Sequence, residues 1–434
     1  MLSNTIYALS SGSVPSGVAI VRLSGPNSFD IVNRLVGQLP DVGCASLQNI
    51  RRPKDGELLD QAVVIRFEGP HSFTGEDVVE LHCHGSRPVL NALFDVLDGF
   101  KECRQAEAGE FSRRAFENGK FDLTEIEGLS DLIGAETEAQ RRLALRQAGG
   151  QLRELYENWR SNLLRCRALI EAELDFADED DVPGSVSDQV WNSVSKLKAD
   201  FSAHLADNRH GEIIRDGLRV VLSGPPNAGK SSLLNALANR DVAIVTPIAG
   251  TTRDIIDVSL DIDGFKVTLT DTAGLRASDD LVELEGIRRA EQAASDADLI
   301  YWLQPLGEDL SASMPNRATV VWTKSDLRVV DLAKDLLTIN MVDQDGLHCF
   351  LADLKDRLKG IASLSEKPIM TRRRHRTVLL AALEHLENSL QPGLDLEIRS
   401  EYLRQAGDQL GKIVGRIDVE DLLDVIFSEF CVGK

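Results

Sequence analysis

Residues 218–238 read LRVVLSGPPNAGKSSLLNALA, and this stretch decides the fold of its part of the chain. The apolar run Leu218–Ser223 predicts a buried strand, and Ser231–Ala238 predicts a helix. The loop between them, GPPNAGKS, fits the spacing GxxxxGK[ST], in which glycines let backbone N–H groups turn inward around phosphate. The positive end of the helix would face the same phosphates. A strand, this loop and a helix in that order predict a phosphate-binding loop at Gly224–Ser232.

Strand and helix patterns alternate around this loop, between residues 216 and 366. The further strands are predicted at Val258–Ile262, Val267–Thr270, Leu299–Leu303 and Thr319–Trp322. Such alternation is typical of a parallel sheet with helices on both faces, which is an α/β domain.

The rest of the chain shows two other sequence patterns. Residues 1–118 mix short alternating stretches with Gly and Pro turns and brief helices, which predicts an α+β domain. Residues 119–215 and 367–434 show apolar residues at helical spacing. We therefore predict a multidomain α+β and α/β protein, in which the α/β domain (216–366) is inserted into a helical domain.

The composition is that of a soluble globular protein of 434 residues, with 43% hydrophobic and 27% charged residues. The net charge of −21 argues against broad attraction to nucleic acid or anionic lipid. A basic run at residues 372–376 is a local exception, and we interpret it as the solvated first turns of a helix. Six scattered cysteines, the lack of a signal peptide and the lack of a membrane-length apolar run predict a cytoplasmic protein.

The residues around the loop predict Mg²⁺ and nucleotide binding. Lys230 would reach the β- and γ-phosphates, and the Ser231 hydroxyl would bind Mg²⁺. Hydroxyls at Gly250–Asp254 (GTTRD) would meet Mg²⁺ and the γ-phosphate, with Thr252 as the second Mg²⁺ ligand. Asp271–Gly274 (DTAG) ends a strand, so that its carboxylate would lie behind the Mg²⁺ shell and its glycine N–H would face the γ-phosphate.

The base motif favours guanine over adenine. Thr323–Asp326 (TKSD) ends another strand, and Asp326 can accept hydrogen bonds from guanine N1–H and the exocyclic amine. The motif usually opens with Asn, so we expect Thr323 to weaken nucleotide affinity and to leave specificity intact. Leu275 follows DTAG where Ras-like proteins carry the Gln that orients the attacking water, so another residue must orient it.

The sequence closely resembles the MnmE (TrmE) family of bacterial tRNA-modification GTPases. The resemblance is carried by PNAGKSSLLNAL, AIVTPIAGTTRD, DTAGLR and the terminal FCVGK, and it runs from Val18 to Lys434. In that family, hydrolysis needs K⁺ and dimerisation of two G domains. The resemblance implies K⁺ ligands at Asn227, Thr246, Ile248 and Thr251, and it implies that Glu283 orients the water. The predicted GTP contacts are Asn227, Ala228, Gly229, Lys230, Ser231, Ser232, Thr246, Pro247, Ile248, Ala249, Gly250, Thr251, Thr252, Asp271, Thr272, Ala273, Gly274, Thr323, Lys324 and Asp326.

The resemblance also implies that residues 1–118 bind a tetrahydrofolate derivative, in the 5,10-methylene or 5-formyl form, and dimerise. The matching folate residues are Arg22, Glu80, Lys120 and Lys434. A carboxylate such as Glu80 can pair with the donor edge of a pterin, and the three cations can neutralise the glutamyl carboxylates. Cys431 fits two interpretations, a nucleophile towards a uracil ring or a packed tail residue.

The partners implied by the resemblance are tRNA, a second copy of the chain, and the flavoprotein MnmG (GidA) in a heterotetramer. That partner alone would carry FAD. The product would be an aminomethyl or carboxymethylaminomethyl group at C5 of the wobble uridine. The alternative hypothesis is a regulatory or ribosome-assembly GTPase with no direct role in modification chemistry, and folate binding distinguishes the two.

Overall fold

The computed structural model of the chain describes residues 4–175, 187–207, 209–238, 243–244, 257–271, 292–310, 314–327, 337–339, 344–361, 367–417, 423–424, 426–427, 430 and 433. The chain forms two compact units. The first combines Met1–Ser130 with Gly411–Lys434, and the second is Asp131–Leu410.

The first unit is built on a six-stranded sheet with the order β3-β4-β5-β2-β1-β6. Neighbouring strands are antiparallel except β1 and β6, which are parallel. The alternating stretches Val18–Leu23, Ala62–Phe67 and Val78–His82 predict β2, β4 and β5, and the structure confirms all three with wider bounds. The strands are β1 (Thr5–Leu9), β2 (Ser16–Ser24), β3 (Ala45–Arg51), β4 (Leu58–Phe67), β5 (Val78–Gly85) and β6 (Cys103–Gln105).

One face of this sheet is covered by α1 (Ser28–Val36) and α2 (Arg87–Leu97). Because side chains alternate along a strand, Val21 and Leu23 of β2 enter that core, whereas Arg22 points to the opposite face. Two further helices, α3 (Glu110–Glu117) and α4 (Leu123–Ile133), follow the sheet in sequence.

Residues near the C-terminus pack within the first unit. Phe427 and Phe430 join Leu123 of α4 in one apolar cluster. The Ser10 hydroxyl, directly after β1, donates a hydrogen bond of 2.8 Å to the carbonyl of Gly433. Phe427, Phe430 and Gly433 are therefore held by residues of the N-terminal part of the chain.

The second unit contains a five-stranded sheet with the order β11-β10-β7-β9-β8. Its strands are β7 (Leu218–Ser223), β8 (Asp257–Ile262), β9 (Phe265–Asp271), β10 (Leu299–Pro305) and β11 (Thr319–Thr323). The prediction of a parallel sheet is wrong for β8, which is antiparallel to β9. The reason is the two-residue turn Asp263-Gly264, whose positive φ angles of 53° and 86° suit a tight hairpin.

The helices of the second unit are α5 (Glu138–Ala148), α6 (Gln151–Asp175), α7 (Ser187–Leu205), α8 (His210–Asp216), α9 (Lys230–Ala238), α10 (Gln344–Ile361), α11 (Arg373–Ser389) and α12 (Leu396–Val414), which extends into the first unit. Helix α5 belongs to the core of the five-stranded sheet, because Ala139 and Leu143 pack in one cluster with Val220 and Leu269. The amide of Ala139 also donates to the carbonyl of Gly264 at 2.9 Å.

Helices α6, α7 and α11 form a separate aromatic core. Trp159 of α6 packs against Phe201 of α7 with ring centroids 4.6 Å apart, and Tyr156 contacts the buried His375 of α11. Burial lowers the pKa of the neighbouring His204 to about 4. The predicted fold class, with α+β, helical and inserted α/β parts, is confirmed. No helix of the described ranges is long and apolar enough to cross a membrane.

The interpretation of the basic run as solvated helix turns is wrong for most of its residues. Arg372 donates to Asp131 at 2.8 Å, and Arg376 donates to Asp207 and to the Leu205 carbonyl. His375 is buried, whereas Arg373 is exposed. Arg372 and Arg376 of the run therefore tie α11 to neighbouring segments, and Arg373 faces solvent.

Candidate functional site

The predicted phosphate loop follows β7 at the carboxyl end of the five-stranded sheet. Gly224 has a φ of 140°, and a β-carbon there would lie 2.2 Å from the carbonyl oxygen of Leu303, so only glycine fits. Asn227 and Gly229 also have positive φ angles, of 61° and 97°. Lys230 begins α9, is 5% exposed, and donates from Nζ to the Gly224 and Pro225 carbonyls at 2.8 Å each. The loop thus wraps around the ammonium group that would bind phosphate.

A hydroxyl and a carboxylate meet beside this loop. Ser231 Oγ donates to Asp271 Oδ2 at 2.6 Å, and Asp271 is 2% exposed at the end of β9. Because β9 pairs with β7, the end of β9 lies next to the loop. Magnesium prefers oxygen ligands of these two kinds, directly or through water, so the residues present fit the ion.

The base motif ends β11 at the same edge of the sheet. Thr323 is 3% exposed, and its hydroxyl has no hydrogen-bond partner among the described residues. Lys324 has a φ of 59°, and a short 3₁₀ turn at Ser325–Leu327 leaves Asp326 exposed. The carboxyl ends of parallel strands form the usual ligand edge of an α/β sheet, and the phosphate loop and the base motif both lie there.

Several predicted residues lie outside the described part of the chain. They are Thr246, Pro247, Ile248, Ala249, Gly250, Thr251, Thr252, Thr272, Ala273, Gly274, Glu283 and Lys434, and Cys431 also falls there. The described members of the predicted GTP set are those of the phosphate loop, Asp271 and the base motif.

Two predicted folate residues meet on the face of the six-stranded sheet opposite α1 and α2. Arg22 and Glu80 are cross-strand neighbours on β2 and β5, and Nε and Nη2 of Arg22 donate to Glu80 Oε1 at 3.0 and 2.8 Å. His82 Nε2 lies 3.1 Å from Glu80 Oε2. The Arg22 guanidinium lies 5.3 and 5.8 Å from the ring centroids of Phe73 and Phe111. A cation, a carboxylate and two rings therefore share one half-buried site.

The loop between β4 and β5 links the third folate residue to this cluster. Lys120 Nζ donates to the Pro70 carbonyl at 2.8 Å, and the same loop carries Phe73. Sequence reasoning missed Phe73, Phe111 and His82. Alternation along β5 places His82 on the face of Glu80, but the approach of the two rings depends on distant segments.

Sequence reasoning also missed a buried arginine beneath this loop. Arg114 of α3 is 1% exposed and donates to both carboxylate oxygens of Glu76, at 3.2 and 3.1 Å. It also donates to Glu110 and to the Asn4 carbonyl, each at 3.0 Å. Glu76 accepts a further bond of 2.6 Å from Ser24 on the face of Arg22. This network connects α3, the β4–β5 loop and β2.

These features define a P-loop GTPase: a mainly parallel sheet, a phosphate loop with its hydroxyl–carboxylate pair, and the TKSD motif. Two family models match the chain, one described as the GTP-binding protein TrmE N-terminus over residues 5–120 and one as the MnmE helical domain over residues 123–431. The chain belongs to the MnmE family, as the sequence predicts.

Relatives match along the whole chain. The protein named tRNA modification GTPase MnmE of Rhizobium johnstonii is 54% identical, and that of Rhizobium meliloti is 51% identical; each alignment covers 100% of both chains. The protein of the same name from Brucella anthropi is 47% identical over 100% of this chain and 99% of its own. The G domain of the T. maritima FeoB iron transporter covers 34% of this chain and 99% of its own at 22% identity, with a TM-score of 0.25.

Proposed function

We propose that this chain is a cytoplasmic tRNA modification GTPase that acts with a flavoprotein partner on the wobble uridine. The observation that carries this proposal is the hydroxyl–carboxylate pair at the phosphate loop, in a chain that matches proteins named tRNA modification GTPase MnmE along its whole length. The predicted boundaries at residues 118, 215 and 366 are part of the proposal.

In this proposal, GTP binds at the carboxyl edge of the five-stranded sheet. Lys230 exchanges its two carbonyl partners for phosphate oxygens, which are stronger acceptors because they are charged. Ser231 and Thr252 would hold Mg²⁺, with Asp271 behind them. When bound, the ion would supply positive charge beside the β- and γ-phosphates. Asp326 accepts hydrogen bonds from the guanine edge and sets the specificity for GTP.

The hydrolytic step needs a group that orients water, because Leu275 cannot do so. It also needs a positive charge beside the γ-phosphate. We assign the orientation of water to Glu283 and assign K⁺ coordination to Asn227, Thr246, Ile248 and Thr251 when two G domains associate. Asn227 lies within the phosphate loop with a left-handed backbone, and its side-chain amide oxygen is a suitable ligand for K⁺. When bound, the ion supplies the positive charge that an arginine finger supplies elsewhere.

Hydrolysis assays in matched salts test this assignment. GTP turnover by the full chain should rise severalfold when KCl replaces NaCl, and Asn227→Ala should remove the difference. Asn235→Ala is the matched control, because Asn235 is exposed on α9 and lies outside the loop. Equal rates of the wild-type protein in the two salts would contradict the K⁺ assignment and leave the GTPase assignment intact.

We propose a tetrahydrofolate derivative at the Arg22–Glu80 cluster, on the face of the six-stranded sheet opposite α1 and α2. Arg22, Glu80, Lys120 and Lys434 provide the charges, and Phe73 and Phe111 flank the site with rings. The carboxylate of Glu80 suits the donor edge of a pterin, so the residues present fit a folate. To bind there, the pterin must replace the contacts of Glu80 with Arg22 and His82. The bound cofactor would supply the one-carbon unit.

Calorimetry with 5-formyltetrahydrofolate tests the folate site. The full chain should bind, and Arg22→Met and Glu80→Gln should each weaken binding at least tenfold. Arg34→Met serves as the control, because Arg34 forms an exposed pair with Asp30 on α1. Binding that is absent, or independent of Arg22 and Glu80, would replace this proposal with the regulatory GTPase hypothesis.

The remaining parts of the proposal are assembly and product. The chain would dimerise and bind MnmG (GidA), which carries FAD, and the complex would add an aminomethyl or carboxymethylaminomethyl group to C5 of the uridine. Nucleoside analysis of tRNA from cells that lack this protein should show loss of the modified uridine. The wild-type chain should restore it and Lys230→Ala should not. Unchanged tRNA in the deletion strain would refute the proposal.

A further inference from the structure

A cleft of ≈ 470 Å³ runs between α6 and α7 in the second unit. Its floor is apolar and includes Trp159, Cys166 and Leu197, which are 4–6% exposed. Its rim is polar, with Asn158, Asn162 and Arg165 on α6 and Ser193, Lys196 and Asp200 on α7. This volume lies in the range of sites that bind small ligands or parts of a polymer.

The register of the two helices sets two cations opposite each other. Trp159 of α6 packs against Phe201 of α7, and the helices run antiparallel. Six residues further along α6 is Arg165, and five residues back along α7 is Lys196. These two side chains therefore flank the cleft at about the same level, and both line it.

Arg165 and Lys196 differ from other cations of these two helices, which have carboxylate partners. Arg160 lies 3.9 Å from Glu157, Arg167 lies 2.8 Å from Glu171, and Lys198 lies 3.1 Å from Glu387. Among the residues that the structure describes, no carboxylate forms an ion pair with Arg165 or Lys196. Two like charges on one cleft repel each other, and an anion bound in the cleft is attracted to both.

The rest of the rim fits a nucleotide unit of RNA. The amides of Asn158 and Asn162 add donors beside the two cations, and Asp200 is an acceptor one helical turn from Lys196. A phosphodiester needs donors, whereas a ribose 2′-hydroxyl can donate to a carboxylate, and this group separates RNA from DNA. We propose that the cleft between α6 and α7 binds a phosphate and the adjoining ribose of the tRNA substrate.

This inference rests on the proposed function, because it takes tRNA as the substrate. The net charge of −21 opposes the approach of RNA over most of the surface, so contacts must be local. The basic run at the start of α11 is a poorer contact, because Arg372 and Arg376 are already bound to carboxylates. The cleft offers two cations that are not so bound.

Salt-dependent tRNA binding tests the cleft with two matched double variants of the full chain. Arg165→Gln/Lys196→Gln removes the cleft cations, and Arg160→Gln/Lys198→Gln removes the same charge from the same helices outside the cleft. Anisotropy of labelled tRNA, measured across a series of salt concentrations, gives the slope of log K against log salt. The cleft variant should lose about 0.7 units of slope and bind roughly 5-fold more weakly at ~0.1 M salt, since one phosphate contact contributes ~0.7.

The control variant should keep the wild-type slope, and both double variants should keep wild-type GTP turnover. A DNA strand of the same sequence should bind the wild-type chain more weakly, and Asp200→Asn should reduce that preference for RNA. Equal losses in the two double variants overturn the cleft assignment alone. Absence of tRNA binding by the wild-type chain overturns the tRNA role itself. Competition by inorganic phosphate as strong as that by tRNA overturns the choice of RNA over a free anion.

Discussion

Replacing Arg114 by methionine should destabilise the first unit strongly. The arginine is 1% exposed, and it holds Glu76 and Glu110 from α3. Methionine keeps most of the side-chain volume and removes the charge, so that two carboxylates lose their buried partner. Arg104 pairs with the same Glu110 through Nη2 at 2.6 Å but is 42% exposed, which makes Arg104→Met the matched control.

The difference in burial between Arg114 and Arg104 sets the expected loss of unfolding free energy in each variant. Breaking a buried ion pair by removing one partner costs about 3–5 kcal/mol, because the remaining charge is left without compensation. An exposed pair contributes about 0–1 kcal/mol, because water and salt screen it. The two variants remove one guanidinium each from the same carboxylate, so burial is the main difference between them.

Native-state thiol labelling measures the opening of the first unit. Cys83 and Cys103 lie in its core, 2% and 7% exposed, and burial raises the pKa of each thiol to about 12. They react with an alkylating reagent only when the unit opens, and the rate follows the open population when reclosing is fast. A loss of 3–5 kcal/mol should speed labelling roughly 150- to 5,000-fold, since about 1.4 kcal/mol is tenfold.

Two other cysteines serve as internal references. The exposed Cys44 should react at one rate in all variants, and the buried Cys166 reports on the second unit. The reasoning is refuted if Arg114→Met speeds the labelling of Cys83 and Cys103 less than threefold, or no more than Arg104→Met does. An equal rise at Cys166 would show that the effect does not belong to the first unit.

Three further changes should act as follows. Thr323→Asn gives the base motif an amide where the buried hydroxyl has no described partner, so affinity for a fluorescent GDP analogue should rise about two- to tenfold; no change in affinity would contradict this. Gly224→Ala should abolish GDP binding, because its β-carbon would meet the Leu303 carbonyl. Gly360→Ala is the control and should bind GDP normally, because there is open space around Gly360. GDP binding by Gly224→Ala would show that the loop tolerates the β-carbon. Burial raises the pKa of Glu110, but hydrogen bonds from Arg104, the Glu107 amide and Arg114 outweigh it and hold the pKa below its usual value. The contribution of Glu110 to the free energy of unfolding is therefore fully present above its unfolded pKa of about 4.3, and it is lost as the pH falls through the lower folded pKa. Urea unfolding midpoints should fall in this range, and midpoints that stay constant below pH ~4 would refute the expectation.

The strands of the five-stranded sheet, apart from the direction of β8, were predictable because their signals are local. The apolar run predicts Leu218–Ser223, which are the bounds of β7, and the glycine spacing predicts the loop that follows it. The Ser231–Asp271 contact follows from two motifs at the ends of neighbouring strands. In each case, residues close in sequence determine the geometry, and the pairing of strands brings the motifs together.

Contacts between distant segments were not predictable in this way. Helical spacing shows that α5 has an apolar face, but it does not show that Ala139 joins the cluster that contains Leu269 of the sheet. The same limit applies to Arg22 and Glu80, which sequence reasoning assigned to separate parts of a ligand. Their pairing depends on the register between β2 and β5, which the sequence pattern leaves open.

The packing of α5 has a practical consequence for dissecting the protein. A fragment that starts at residue 216 lacks Ala139 and Leu143, and the apolar surface that they cover would meet water. It also lacks Glu136, which holds Lys266 of β9 at 2.5 Å. Biochemical work on the isolated nucleotide-binding part should therefore retain the segment from about residue 136 to Ala148, joined by a short flexible linker to α8.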